Sequence, residues 1–330
     1  MKEQITTILQ RQSVPDPLEY LQKVEKCIEV FESESEPVRP RRSDGGPGGI
    51  VHLLKGIPTI IVPDLHARMN FIGSLVNLQS DEGDFFELMS EEKLQVLCVG
   101  DGFHRELDAK DRWQKAFHEY EKGFKKHHHM DEEMRESLGL MEMIMELKCA
   151  FPRNFHFLKG NHENIGNEEG GGNHPFRKFA FEGDMVRNWV LQFMGEDFLR
   201  RYSVFEKSLP LLAIGDNFLI SHAEPQRFFD DEEITSYDGE AVHGLTWTAN
   251  GEAEVGGVRQ MLDHYLSDDA AANSLYFGGH RIITEKYRLR AEGDFVQIHN
   301  PWKFQIVFLK PGKLIDLEKD IIEIPGKING

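Results

Sequence analysis

The sequence predicts an α/β protein, and three observations lead there. Short apolar runs alternate with amphipathic stretches along most of the chain. Five of those runs stop abruptly at Gly, Asp, His or Arg residues. The 330 residues, 40% hydrophobic and 28% charged, have the composition of an ordinary globular protein that buries a large core.

In chain order, Asp16-Pro17-Leu18-Glu19 reads as a helix start, with an N-cap acid, proline in the first turn and Glu at the third position. Leu18, Leu21, Val24, Ile28 and Phe31 then recur at helical spacing. Residues 32–50 are polar and rich in Pro and Gly, which predicts a linker or long loop. The expected organisation is therefore an N-terminal helical element with linker (1–50), a main domain (51–312) and a C-terminal tail (313–330). The five runs are "IPTIIVP" (57–63), "LQVLCV" (94–99), "NFHFL" (154–158), "DNFLIS" (216–221) and "SLYF" (274–277). Residues 105–148 interrupt the alternation and predict a charged helical insertion, followed by the helix leading into the third run. His127-His128-His129 within it reads as solvated surface, because adjacent helical residues do not face a common point. "DFVQIHN" and "KFQIVFLK" near the C-terminus read as antiparallel strands, with "LKPGKL" as a turn.

The net charge of −18 disfavours nucleic acid and anionic membrane as partners, since counterion release needs a basic face. A phosphorylated substrate stays open, because bound metal ions reverse the local field. The start carries no long apolar core and no run approaches 18 apolar residues, so a cytoplasmic location is expected. Cys27, Cys98 and Cys149 are odd in number and far apart in sequence, and read as reduced core thiols.

The ends of the five runs carry the chemistry. In order they lead into "DLHAR", "GDGFHRE", "KGNHEN", "HAEP" and "GGHR". Ligand sites in open α/β sheets lie beyond the carboxyl ends of strands. Taken singly, most of these signals are weak, and a D-x-H triplet is expected about once by chance in such a chain. "GNHE" at 160–163 is rarer, at about one chain in a few hundred. Jointly the ends supply Asp64, Asp101 and the Asn161 amide oxygen, with three imidazoles from His66, His222 and His280. That mixture suits two divalent ions of the Mn, Fe, Zn or Ni kind, whereas an all-oxygen set would suit Ca or Mg. A carboxylate bridging two ions would make a two-metal site that activates water and clamps a phosphoryl group.

The order D-x-H, G-D-x-x-x-R, G-N-H-E, a strand-ending His and G-H resembles the calcineurin-like metallophosphoesterase superfamily, nearest its phosphoprotein phosphatase and diadenosine-polyphosphate hydrolase branch. The flanking stretches "MEMIMELKCAFPRNFHFLKGNHE", "SVFEKSLPLLAIGDNFLISHAEP" and "LTWTAN" are similar to segments of that branch. The resemblance covers about residues 57–310. It implies a four-layer α/β/β/α sandwich with two mixed sheets. It also implies that Asp64, His66 and Asp101 hold one metal, while Asp101, Asn161, His222 and His280 hold the other, with Asp101 bridging. Arg105 would bind phosphate oxygens, where its fork suits bidentate contact, and Asn161 would lie beside the substrate. His162 would be the general acid for the leaving-group oxygen, and a metal-bridging hydroxide the attacking group.

Five positions depart from the family pattern. Pro63 and Ala67 stand where glycines flank the first motif, and Arg68 after them is either a second phosphate contact or a surface charge. Ala223-Glu224 replace the usual Gly-Gly, and Glu224 either orients a ligand or faces solvent. The largest departure is His104, in place of the acid that normally supports the catalytic histidine. Either another acid (Glu106, Asp108 or Glu163) takes that role, or His104 itself joins proton transfer, or donation is weaker, or His104 is structural. The insertion is expected to cap the site; the alternative is a distant surface decoration. The expected function is a dinuclear metal-dependent phosphoesterase acting on a phosphorylated small molecule or phosphoprotein. A dinucleoside polyphosphate hydrolase and a catalytically weakened phosphate-binding scaffold are the alternatives.

Overall fold

A computed structural model describes residues 1–326. The chain opens with two helices, α1 (Lys2–Gln10) and α2 (Pro17–Ser33), then strands β1 (Ile50–His52) and β2 (Thr59–Val62). Helix α3 (Met69–Leu75), a small hairpin of β3 (Gln79–Ser80) and β4 (Gly83–Asp84), helix α4 (Phe85–Ser90) and strand β5 (Gln95–Cys98) come after them. Next are α5 (Lys110–Glu121), α6 (His128–Ala150), β6 (Phe155–Phe157), α7 (Glu182–Phe193) and α8 (Glu196–Glu206). The second half holds β7 (Leu212–Ile214), β8 (Phe218–Ser221), α9 (Asp231–Thr235), α10 (Gly239–Thr246), α11 (Gly257–Tyr265) and α12 (Asp268–Ala271). It ends with β9 (Leu275–Gly278), β10 (Arg288–Arg290), β11 (Phe295–Gln297), β12 (Gln305–Leu309), α13 (Leu317–Asp320) and β13 (Ile321–Glu323).

Two mixed sheets result, in the orders β1-β7-β8-β9-β11-β10 and β13-β12-β2-β5-β6. Alternation of side chains along each strand sorts them into three apolar layers. Ile61 and Leu97 point inward with Ile220, Phe277 and Val296 to fill the space between the sheets. Their neighbours Ile60, Val62, Val96 and Cys98 point outward against the first eight helices. On the other sheet Leu212, Leu219, Tyr276 and Phe295 face α9–α12. The fold is thus the four-layer α/β/β/α sandwich.

The five apolar runs form β2, β5, β6, β8 and β9. Of the two C-terminal runs, one differs in part from the expected antiparallel pairing. β12 is antiparallel to both neighbours, but β11 runs parallel to β9 and is antiparallel only to β10. The chain crosses from one sheet to the other between them, so the runs never pair with each other.

The first 50 residues pack into the same core as the helices after them. Asp16 caps α2 by accepting from the amides of Leu18 and Glu19, with Pro17 at N1. The buried stripe is Tyr20, Val24, Cys27, Ile28 and Phe31, whereas Leu18 is 72% exposed. The stripe is rotated because α2 lies between α6 and α8, with Tyr20 Oη donating to the Leu138 carbonyl at 3.0 Å. Residues 34–49 are pinned by the fully buried Arg39, whose Nε and Nη2 donate to the carbonyls of Gly48 and Ser208 at 2.5 and 2.7 Å. In the segment expected as a tail, residues 321–323 form an edge strand; residues 327–330 lie outside the described residues. His128 is exposed at the start of α6, and His127 pairs with Asp131 at 2.8 Å. Cys27 and Cys98 are buried and Cys149 is partly buried, all as free thiols. No described helix is long and apolar enough to cross a membrane.

Candidate metal centre

The parallel strands β2, β5 and β6 end side by side, and β8 and β9 do the same in the facing sheet. Their carboxyl ends deliver Asp64 and His66, then Asp101, then Asn161 and His162, then His222, then His280. These residues are buried or nearly so. His66, Asp101 and His280 have φ of 42°, 52° and 61°, and His104 has 72°. Left-handed backbone at non-glycine residues is strained, and its clustering here marks loops held by their surroundings. Two glycines are required by close approach. A Cβ on Gly160 would lie 2.2 Å from Asp101 Oδ1, and one on Gly279 would lie 1.7 Å from Asp64 Oδ1.

Three imidazoles have their orientation set by backbone carbonyls. His66 Nδ1 lies 3.1 Å from the His104 carbonyl, and His222 Nδ1 lies 3.1 Å from that of Val99. His280 Nε2 lies 3.2 Å from the carbonyl of Trp247, in the "LTWTAN" stretch. Each ring donates from that nitrogen and turns its other nitrogen inward. The inward nitrogens of His222 and His280 both lie 3.0 Å from Asn161 Oδ1. Those of His66 and His222 lie 3.5 and 3.3 Å from Asp101 Oδ2. Asp64 Oδ2 accepts from the His280 amide at 2.8 Å, while its Oδ1 is buried without a hydrogen-bond partner.

These contacts fit divalent cations. Burial, reinforced by His222 and Arg281, holds His280 well below the usual imidazole range. A neutral ring carries one proton, which His280 uses on the Trp247 carbonyl, so its Nδ1 lone pair faces the lone pairs of Asn161 Oδ1. Such a contact is repulsive unless a cation lies between. A separation of 3.0 Å suits two ligands each about 2.0–2.2 Å from one ion. Burial alone would raise the Asp101 carboxyl, but His222, His162 and His66 outweigh it and hold Asp101 well below the usual range. Against the lowering effect of burial, Asp101 pushes His222 up to about 9. A cation would compete with that proton for the same nitrogen.

Glu163 braces this cluster: its carboxylate accepts from the amides of Asp101, Gly102 and Gly160 at 2.9, 2.7 and 2.7 Å. Burial, with Asp101 next, pushes it up to about 7. Glu163 therefore organises the loops and does not reach the His162 ring. Asp108 is taken by Arg105, in a fork of 2.9 and 2.8 Å. Glu106 contacts His299 and Lys178. None of the three nearby acids supports His162.

His104 does lie beside His162, with the two rings stacked at 4.9 Å and 21°. Its Nε2 is 3.5 Å from the carboxylate of Glu182, the fully buried first residue of α7. Glu182 also accepts from the amides of Lys178, Phe179 and Ala180 at 2.9, 2.5 and 3.0 Å. Burial would raise Glu182, but His104 and these amides bring it down to about 2. Burial holds His162 well below the usual imidazole range, and its Nδ1 has no hydrogen-bond partner. An acid thus stands behind the imidazole pair, supplied from far along the chain.

A cavity of about 370 Å³ opens beside the centre, lined by His66, Arg68, Arg105, Glu106, Leu107, Asp108, Pro301 and Trp302. Arg68 directs its guanidinium at four backbone carbonyls, those of Asp64, Leu65, Pro301 and Lys303, and so ties the first loop to the C-terminal segment. Glu224 is buried and paired with Arg290 at 2.6 Å, so it does not face solvent. The insertion touches the second loop: Trp113 on α5 donates to the Arg105 carbonyl at 3.0 Å and packs 5.0 Å from His104. Two neighbours of the centre, Glu182 and His299, escaped the sequence reading. His299 comes just after β11, as the other histidines come after their strands, and that repetition was the available signal.

No protein-family model matches the chain, and no curated protein matches it. Solved structures do. A serine/threonine phosphatase from Saccharomyces cerevisiae with similarity to human phosphatase PP5 is 14% identical, with a TM-score of 0.55, over 94% of this chain and 89% of that one. A structure described as a candidate diadenosine tetraphosphatase is 14% identical over 86% of this chain and all of its own, with a TM-score of 0.41. A cold-active protein-tyrosine phosphatase of a psychrophilic Shewanella is 11% identical over 84% and 82%, with a TM-score of 0.45. At these identities the likeness is one of fold. The chain has the calcineurin-like metallophosphoesterase fold.

Proposed function

We propose that this protein is a metal-dependent phosphoesterase that hydrolyses phosphate monoesters, on a small molecule or on a phosphoprotein. The observation that carries the reading is the set of three imidazoles, each donating one nitrogen to a backbone carbonyl and turning the other toward the buried Asp101 carboxylate, the Asn161 amide oxygen or both. Asp64, His66 and Asp101 would hold one divalent ion, and Asp101, Asn161, His222 and His280 the other, with Asp101 shared. Ions held there would supply Lewis acidity and lower the pKa of a water molecule. The donor set favours Mn, Fe, Zn or Ni.

The protein's own groups would do the rest. Arg105, at the cavity wall, would exchange its exposed Asp108 partner for phosphate oxygens and orient the ester. His162, 8% exposed, would hand a proton to the departing oxygen, with the negative charge of a bound phosphate ester offsetting the burial that otherwise keeps the ring neutral. His104 would hold the His162 ring by stacking, and the Glu182 carboxylate behind it would offset positive charge on the pair. A second reading, dinucleoside polyphosphate hydrolysis, draws support from Trp302, which is 59% exposed at the cavity that holds Arg105 and could stack on a base.

Hydrolysis of p-nitrophenyl phosphate with Mn²⁺, with and without chelator, tests the reading. Metal-dependent turnover that Asp101→Asn abolishes is the expected result. No turnover together with less than one bound ion per chain would reject it and leave a phosphate-binding scaffold.

A further inference from the structure

His299 lies two residues beyond β11 and is fully buried. Its Nε2 is 3.2 Å from Glu106 Oε2. Its Nδ1 has no hydrogen-bond partner and lies 3.7 Å from Asp64 Oδ2, beyond the range of an N–H···O bond. The ring stands 5.3 Å from that of His66. One ligand atom from each of Asp64, His66 and His299 falls within 4.8 Å of the others. A buried imidazole nitrogen without a partner keeps the full cost of its desolvation. Here it is aimed at a carboxylate whose other oxygen is also unpartnered.

Glu106 explains the orientation. Its Oε2 faces His299, and Lys178 binds its Oε1, so the carboxylate is fixed from both ends. A carboxylate accepts only, so the ring proton of His299 belongs on Nε2 and the Nδ1 lone pair turns toward Asp64. This is the arrangement in which an acid orients an imidazole for a metal.

We propose that His299 is a further metal ligand on the Asp64–His66 side of the centre, with Glu106 as its positioning residue. The inference rests on the two-metal reading given above. It makes that side hold two imidazoles and two carboxylates in place of one imidazole and two carboxylates. The added nitrogen biases the site toward Zn²⁺ or Fe²⁺ over Mg²⁺.

The test uses the Zn²⁺-loaded full chain. Anomalous diffraction at the zinc edge is expected to put an ion about 2.0–2.1 Å from His299 Nδ1. Zinc retained per chain is then measured by elemental analysis after dialysis against graded chelator, for the wild type, Asp101→Asn, Glu106→Gln and His299→Ala. The wild type should hold two ions, and Glu106→Gln should weaken one of them about 10–100-fold. His299→Ala should weaken the same ion further. An ion more than 3 Å from Nδ1, or affinities in both position-299 and position-106 variants within twofold of wild type, overturns the proposal and leaves the two-metal reading standing. A wild type that binds no more zinc than Asp101→Asn overturns both. If His299→Ala does not fold, the wild-type anomalous map and Glu106→Gln decide.

Discussion

Glu182→Gln is the perturbation whose size comes most directly from the geometry. The carboxylate is fully buried, 3.5 Å from His104 Nε2, and accepts three backbone amides. Its fall from 4.5 to about 2 corresponds to about 3 kcal/mol of stabilisation of the ionised form. Glutamine keeps the volume and one acceptor oxygen, but it removes the charge and sets an NH2 group against at least one of those amides. We expect the variant to lose about 3 kcal/mol of stability at pH 7. The sign comes from linkage. A carboxyl whose folded value is lowered contributes its full stability above about pH 4.5 and loses it as pH falls toward 2. The wild-type advantage should therefore narrow below pH 4.5, whereas the variant has nothing to titrate there. Urea unfolding of metal-loaded protein at a series of pH values measures this. A difference under about 0.5 kcal/mol at pH 7, or one that does not change with pH, would refute the assigned Glu182–His104 pairing.

Three further outcomes are expected. His162→Ala should slow esters with poor leaving groups about 10²–10⁴-fold and activated aryl esters far less, and equal losses on both would show that His162 is not the proton donor. Asp108→Ala should release Arg105 and lower KM two- to fivefold with kcat nearly unchanged, because exposed pairs contribute about 0–1 kcal/mol; steady-state kinetics reads the split. Trp113→Ala, which removes a buried ring between the insertion and the second loop, should destabilise the protein by about 3–5 kcal/mol and shift substrate preference. An unchanged ratio of kcat/KM across small and large phosphoesters would show that the insertion does not shape access.

The fold was legible because the chain announces its strands twice, once as apolar runs and once by the Gly, Asp and His residues at their ends. Asp64, His66, Asp101, Asn161, His222 and His280 each sit within a few residues of a strand end, so local sequence located them. The hidden part depends on contacts between distant segments. Glu106, Asp108 and Glu163 looked able to support His162 because they are close in sequence, yet each is held by another partner: His299 and Lys178, Arg105, and backbone amides respectively. The acid that does stand behind His104 begins a helix much later in the chain. Likewise Arg68 reads as a free cation until the carbonyls of Pro301 and Lys303 arrive from the C-terminal segment. The stripe of α2 keeps Val24, Ile28 and Phe31 but gains Tyr20 and Cys27 and loses Leu18 for the same reason: periodicity fixes which residues align, and only the neighbouring helices decide how far the covered line is turned.

The left-handed backbone at His66, Asp101, His104 and His280 bears on how the protein would respond to selection. Each such residue stores about 1–3 kcal/mol, which glycine or asparagine would release. A laboratory screen for survival at high temperature, with no demand for turnover, would therefore drift toward Gly or Asn at positions 66, 101, 104 and 280. The hardier variants so obtained would keep both sheets and every helix while emptying the centre between them of its chemistry. Heat resistance and competence pull in opposite directions at four named positions, and sequencing the survivors would reveal it.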